Sequence, residues 1–204
     1  VPGLCTIDVD VQGKSTNGAV PATYTNTIPV ANVIATIQGT GSTMSALAPA
    51  TANITVRNLT LEVVKGFVPQ LVYGGTVSQM SITLRNPSSA AELTGISFTD
   101  NMFINPVDPK QYPAGEMIIA SPPNFDPSDC GPAATMTGIP GSSSFSFSGG
   151  YLAPDTECTL TLDVSMTVNG NRTNRIPALT VTSFNGASNQ TPAEASLTNL
   201  AGAS

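Results

Sequence analysis

Leu160, Leu162 and Val164 alternate with Thr159, Thr161 and Asp163, and Met80, Ile82 and Leu84 alternate with Ser81 and Thr83. Side chains of successive strand residues point to opposite faces, so a strict period of two marks strands with one buried and one wet face. Such strands belong to antiparallel sheets. The pattern predicts strands over Thr6–Val11, Asn53–Arg57, Leu59–Val64, Gln79–Arg85, Gly95–Thr99, Ser144–Ser148, Thr159–Val168 and Leu179–Phe184. Turn chemistry separates them at Gly74-Gly75, Asn86-Pro87-Ser88, Ser121-Pro122-Pro123, Gly149-Gly150 and Asn169-Gly170. No segment reads as a helix, and Asn101 to Ala114, with three prolines and no alternation, reads as an inserted loop.

Composition supports the same class. Only 10% of the 204 residues are charged and histidine and tryptophan are absent, so the outer faces of a helical bundle could not be furnished. A net charge of −6 and a pI of about 4.3 exclude a basic nucleic-acid binder. A hydrophobic content of 40% and mean hydropathy of +0.12 suffice for a core, which argues against disorder. No apolar run reaches the length of a membrane-spanning helix, so membrane insertion is not expected. The start at Val1-Pro2-Gly3, without an initiator Met, is expected of a processed or excised piece, here of a secreted chain whose signal peptide has been removed.

Three cysteines imply a pair plus an unpaired thiol or an intermolecular bridge. With no CxxC and no histidine, a tetrahedral metal site is a poor fit. Cys130 and Cys158 lie in the most Gly/Pro/Ser-rich region and are the expected disulfide, leaving Cys5 as the unpaired or intermolecular thiol.

The chain also resembles itself. Cys5-Thr6-Ile7-Asp8-Val9-Asp10-Val11 matches Cys158-Thr159-Leu160-Thr161-Leu162-Asp163-Val164, and Thr25-Asn26-Thr27-Ile28-Pro29 matches Thr173-Asn174-Arg175-Ile176-Pro177. Pro49-Ala50-Thr51-Ala52 then matches Pro192-Ala193-Glu194-Ala195, with offsets shrinking in order from 153 to 148 to 143. Residues 1–57 thus read as the C-terminal part of a first repeat, and residues 58–204 as one complete repeat. An almost linkerless junction would stack the two stiffly. The partial repeat would expose strand edges and a core face unless a neighbour covered them.

The second repeat carries an ordered series of motifs: Phe67-Val68-Pro69, Gly74-Gly75, Ser78 with Met80, Ile82 and Leu84, Asn86-Pro87, and Leu93-Thr94-Gly95-Ile96 leading into Phe98-Thr99-Asp100. Ala120-Ser121-Pro122-Pro123, Cys130-Gly131, Ser148-Gly149-Gly150, Cys158-Thr159, Asp163-Val164, Thr173-Asn174 and Ile176-Pro177 complete it. This series resembles the conserved tandem-repeat domains of bacterial cell-surface proteins, a family long described only as a domain of unknown function. The resemblance implies an all-β fold of immunoglobulin-like antiparallel β-sandwich repeats, here one partial and one complete. It further implies tandem arrays on secreted or surface-anchored proteins, a disulfide at Cys130 and Cys158, and no catalysis. The sequence departs from the pattern after Asp100, where Met102–Gly115 replaces a shorter turn; Asn101, Phe103 and Tyr112 make this a possible contact loop.

Chemical candidates are few. Asp8 and Asp10 share a strand face and are the calcium candidates, with solvated positions as the default. Phe145, Phe147, Phe98 and Phe103 would form a ligand patch or, by default, core. Without histidine, acid–base work would fall to carboxylates and lysines, and no enzyme is expected. No cofactor is expected either. The expectation is a non-catalytic stalk or adhesive segment of an extracellular bacterial surface protein, partnered by neighbouring repeats, a glycan or a host surface. The alternative is a filament or sheath subunit in which identical subunits complete each other's first repeat by strand addition.

Overall fold

Every second residue of Glu157–Met166 is buried, and the same holds along Ser78–Arg85: the predicted alternation is the observed one. The computed structural model describes residues 6–10, 22–56, 59–103 and 113–202. The chain divides into two compact units, 1–58 and 59–204. Among the described residues it is all-β, with only two single-turn 3₁₀ helices, Val30–Asn32 and Ser128–Cys130.

In the first unit, β1 (Ala22–Ile28) pairs antiparallel with β4 (Ala50–Val56), and β2 (Ile34–Thr36) pairs with β3 (Thr43–Ser45). Tyr24, Ile28, Ile34 and Ile54 are all exposed. Residues 6–10 form no strand, contrary to the expectation for Thr6–Val11. They have no ladder partner among the described residues, and Ile7 and Val9 face solvent.

The second unit holds β5 (Thr60–Val68), β6 (Leu71–Tyr73), β7 (Ser78–Arg85), β8 (Leu93–Asn101), β9 (Met117–Ile119) and β10 (Thr135–Gly138). It continues with β11 (Ser144–Leu152), β12 (Glu157–Met166), β13 (Gly170–Ile176), β14 (Ser188–Asn189) and β15 (Ala193–Leu200). They form sheets of order β14-β5-β7-β12-β9, β10-β11-β8 and β13-β15-β6. Pairing is antiparallel except at β14–β5 and β15–β6, which are parallel. The inner faces contribute to one core containing Phe67, Met80, Ile82, Phe98, Phe145 and Leu162, an arrangement consistent with a β-sandwich. Phe98 meets Phe145 edge-on at 6.2 Å and Phe147 at 5.5 Å, so these three rings are core.

Leu179–Phe184 is not a strand. Leu179 takes a left-handed backbone (φ 65°), and Thr182 makes only isolated bridges to Ser97 and Ser188. Only Val181 is buried there; Phe184 projects outward. The β-branched run at 180–182 satisfies strand propensity, but Pro177 and the Asn185-Gly186 turn leave no room for a ladder.

One correspondence spans both units. In β1–β4, Asn26 lies opposite Ala52 and Ile28 opposite Ala50; in β13–β15, Asn174 lies opposite Ala195 and Ile176 opposite Ala193. Residues matched by the sequence self-comparison therefore pair in the same register. Their surroundings differ: β13 packs on β8 and β15 on β5, so Asn174 is buried, whereas Asn26 is exposed.

Candidate functional site

Cys130 closes the turn Ser128–Cys130, Cys158 is the second residue of β12, and the two form a disulfide inside the core. The turn is set by Asp126, whose carboxylate accepts hydrogen bonds from Ser128 Oγ (2.6 Å) and Ser128 N (3.0 Å). These bonds hold its carboxyl below the usual carboxylate range. Cys5 lies outside the described residues.

The other expected positions are scattered. Asp8 and Asp10 are exposed, and among the described residues no three acidic, cysteine or histidine side chains gather as a metal site would require. Asp163, the counterpart of Asp10, accepts a bond from Asn124 Nδ2 at 2.7 Å. Asn101 ends β8 and accepts a bond from Ser144 Oγ (2.9 Å); Phe103 is half-buried beside the buried Met102, and Tyr112 lies outside the described residues.

The densest buried polar chemistry lies elsewhere. On β5 the inward positions are Leu61, Val63, Lys65 and Phe67, so a lysine takes a core position between apolar residues. Across the core, β8 presents Ile96, Phe98 and then Asp100, and β13 presents Asn174 before Ile176. Lys65 Nζ donates to Asp100 Oδ2, and Asp100 Oδ1 accepts from Asn174 Nδ2 at 3.0 Å. The Lys65 and Asp100 side chains have no solvent exposure, and Asn174 has none as a residue. Burial pushes the Lys65 amine below the usual lysine range, against the opposing pull of Asp100.

Asn174 is unusual in a further respect. The three other asparagines buried among the described residues each have their carbonyl oxygen engaged: Asn86 Oδ1 accepts from Ser88 N, Asn189 Oδ1 from Val181 N, and Asn199 Oδ1 from Gly75 N. Asn174 Oδ1 has no hydrogen-bond partner among the described residues. An orphaned buried acceptor costs about 1–3 kcal/mol. Sequence reasoning missed this cluster, although a signal was present for two members: Lys65 and Asp100 sit in phase with the apolar alternation of β5 and β8, whereas β13 offers only Ile176 beside Asn174.

A disulfide-linked all-β unit with a buried ionic cluster is therefore the class of molecule at hand. Residues 62–199 match the model of a family described as Domain of unknown function (DUF7933), and the chain belongs to that family. No curated protein matches it. Among solved structures it is similar to a chain of a type I cohesin–dockerin complex from Clostridium thermocellum, at 11% identity and a TM-score of 0.34. That similarity covers 70% of this chain and 96% of the other. It is also similar to the yeast delta-COP-I mu-homology domain, at 12% identity and TM-score 0.29, over 78% of this chain and 62% of that one. At these scores neither structure carries an argument about fold or function. A disulfide is compatible with an extracellular location, and among the described residues no helix is long and apolar enough to cross a membrane.

Proposed function

We propose that the chain is a non-catalytic segment of a bacterial surface protein, built of immunoglobulin-like β-sandwich repeats and serving as stalk or adhesive spacer. The observation carrying this is the recurrence of one antiparallel strand-pair register, Asn26 opposite Ala52 and Asn174 opposite Ala195, in two units of one chain. Recurrent modules in series are how a rod is built, and the disulfide suits an oxidising exterior. Protease treatment of intact cells bearing the protein tests it: peptides from residues 59–202 should be released without lysis. Recovery only after lysis would overturn it.

The second reading is a filament subunit whose first unit is completed by an identical neighbour, and the exposed Tyr24, Ile28 and Ile54 on β1 and β4 favour it. Light scattering and negative-stain imaging of the non-reduced protein separate the two. A monomer near 20.8 kDa supports the spacer, and regular filaments support assembly.

A further inference from the structure

We propose that Lys65 and Asn174 are joined by an intramolecular isopeptide bond, formed by the protein itself with Asp100 as the catalytic residue. The inference goes beyond the spacer reading and does not depend on it.

Geometry supplies the first support. One carboxyl group holds the amine on Oδ2 and the carboxamide on Oδ1, so the two reaction partners are gathered on a single proton carrier. All three groups are fixed on strands of one core, β5, β8 and β13, which removes most of the entropic cost of bringing an amine to an amide. Burial lowers the basicity of the amine, which makes its proton easier to pass to Asp100 and so raises the share of the nucleophilic form. With no exposure at the Lys65 and Asp100 side chains or at Asn174, water is kept from competing for the carboxamide.

The orphaned oxygen supplies the second support. Exchange of Oδ1 and Nδ2 by rotation of the carboxamide is nearly isosteric. It sets Oδ1 against Asp100, and a protonated Asp100 then donates to that oxygen and polarises the carbonyl. The unpartnered acceptor and the carrier of the lysine proton thus answer each other.

The reaction balances without any co-reactant. A proton passes from the Lys65 ammonium to Asp100, leaving a lone pair on Nζ. Nζ attacks Asn174 Cγ, and the carbonyl electrons move to Oδ1. Asp100 relays a second lysine proton to Nδ2, the Cγ–Nδ2 bond breaks as the carbonyl re-forms, and ammonia leaves. Of the three protons on the original ammonium, one remains on the new amide nitrogen, one departs with ammonia and one stays on Asp100. The reaction is a single event on the protein's own chain, without turnover or redox change.

Mass spectrometry of the wild-type chain decides it. The intact, reduced protein should be lighter than its sequence by one ammonia, about 17 Da, as amide exchange requires. Acylated Lys65 resists trypsin, so residues 58–85 should appear as one peptide covalently joined to 173–175. Lys65→Arg and Asn174→Ala should each restore the full sequence mass. So should Asp100→Ala, provided its circular dichroism shows a folded chain. A wild-type protein that is folded, has the full sequence mass and is cut normally after Lys65 overturns the proposal. So does an ammonia deficit confined to one unlinked peptide, which marks a cyclised asparagine.

Discussion

Reducing the Cys130–Cys158 bridge perturbs the unfolded chain more than the folded one. Both cysteines are buried in the core, so the thiols stay in place and no cavity opens on reduction. The 28-residue separation sets the magnitude. In the chain-entropy model, closing such a loop stabilises by about 3.6 kcal/mol at 25 °C. The segment from Lys65 to Asn174 encloses this loop, so an isopeptide bond there would lower the figure by only about 0.3 kcal/mol. The assay is urea unfolding of the full chain with and without a phosphine reductant. Reduction should lower the free energy of unfolding by about 3–4 kcal/mol, and the denaturant slope should rise because the freed chain exposes more surface. In a thermal scan the same loss corresponds to roughly 7–14 °C for a unit of this size. A loss below about 1 kcal/mol, with full reduction verified by thiol counting, would refute the unfolded-state account.

Three further outcomes follow from particular contacts. Phe147→Ala removes a ring packed on Phe98 and fully enclosed in the core, and denaturation should report a loss of about 3–5 kcal/mol. Gly149→Ala and Gly95→Ala both place a side chain at positive φ, but a Cβ at 149 meets the backbone carbonyl of Ala133, whereas one at 95 meets the ring of exposed Phe184. Backbone cannot yield and a surface ring can, so Gly149→Ala should cost about 3 kcal/mol or more and Gly95→Ala about 1–2 kcal/mol; the reverse order would refute the contrast. Asp126 has its folded-state affinity for a proton lowered by the Ser128 bonds, so its contribution is present above the unfolded carboxylate value and is lost as pH falls through the folded one. Carboxyl-carbon NMR should place its midpoint below that of an unfolded aspartate, and Asp126→Asn should remove that component of acid sensitivity.

The alternation along β7 and β12 was legible because these strands have one apolar and one polar face, and each was found within two residues of its expected bounds. Legibility failed where sequence periodicity and pairing part company. Residues 180–182 have strand-forming side chains, yet a strand also needs a neighbour along its length, and the turns at both ends deny one. Two-residue β14 and three-residue β6 are too short to display any period; both are set by parallel partners distant in sequence. The cluster at Lys65 escaped for another reason. Its three members are separated by tens of residues; Lys65 and Asp100 are recognisable only as polar interruptions of apolar phases, and Asn174, on the polar strand β13, interrupts none.

Those interruptions bear on why such a cluster would be kept. A buried ion pair gives little net stability, because desolvation consumes most of the attraction, and an unpartnered carbonyl adds a further penalty. Left unreacted, Lys65, Asp100 and Asn174 are a weak choice for buried positions beside a core of residues such as phenylalanine, leucine and methionine. Converted to an amide, the same atoms lose the lysine charge, and the carbonyl oxygen gains a donor in protonated Asp100. The position of the bond matters as well. Lys65 lies on β5 near the start of the second unit, and Asn174 lies on β13, followed only by β14 and β15. In a surface spacer under tension, force entering at β5 would pass through the side-chain amide to β13 and bypass residues 66–173. The disulfide, β7, β8, β11 and β12 would then bear no load. Single-molecule pulling on the full chain should accordingly show no extension from residues 66–173, whereas Asn174→Ala should release that segment except for the loop closed by Cys130–Cys158, which reduction would add. Full extension of the wild-type chain would contradict both the bond and the load path.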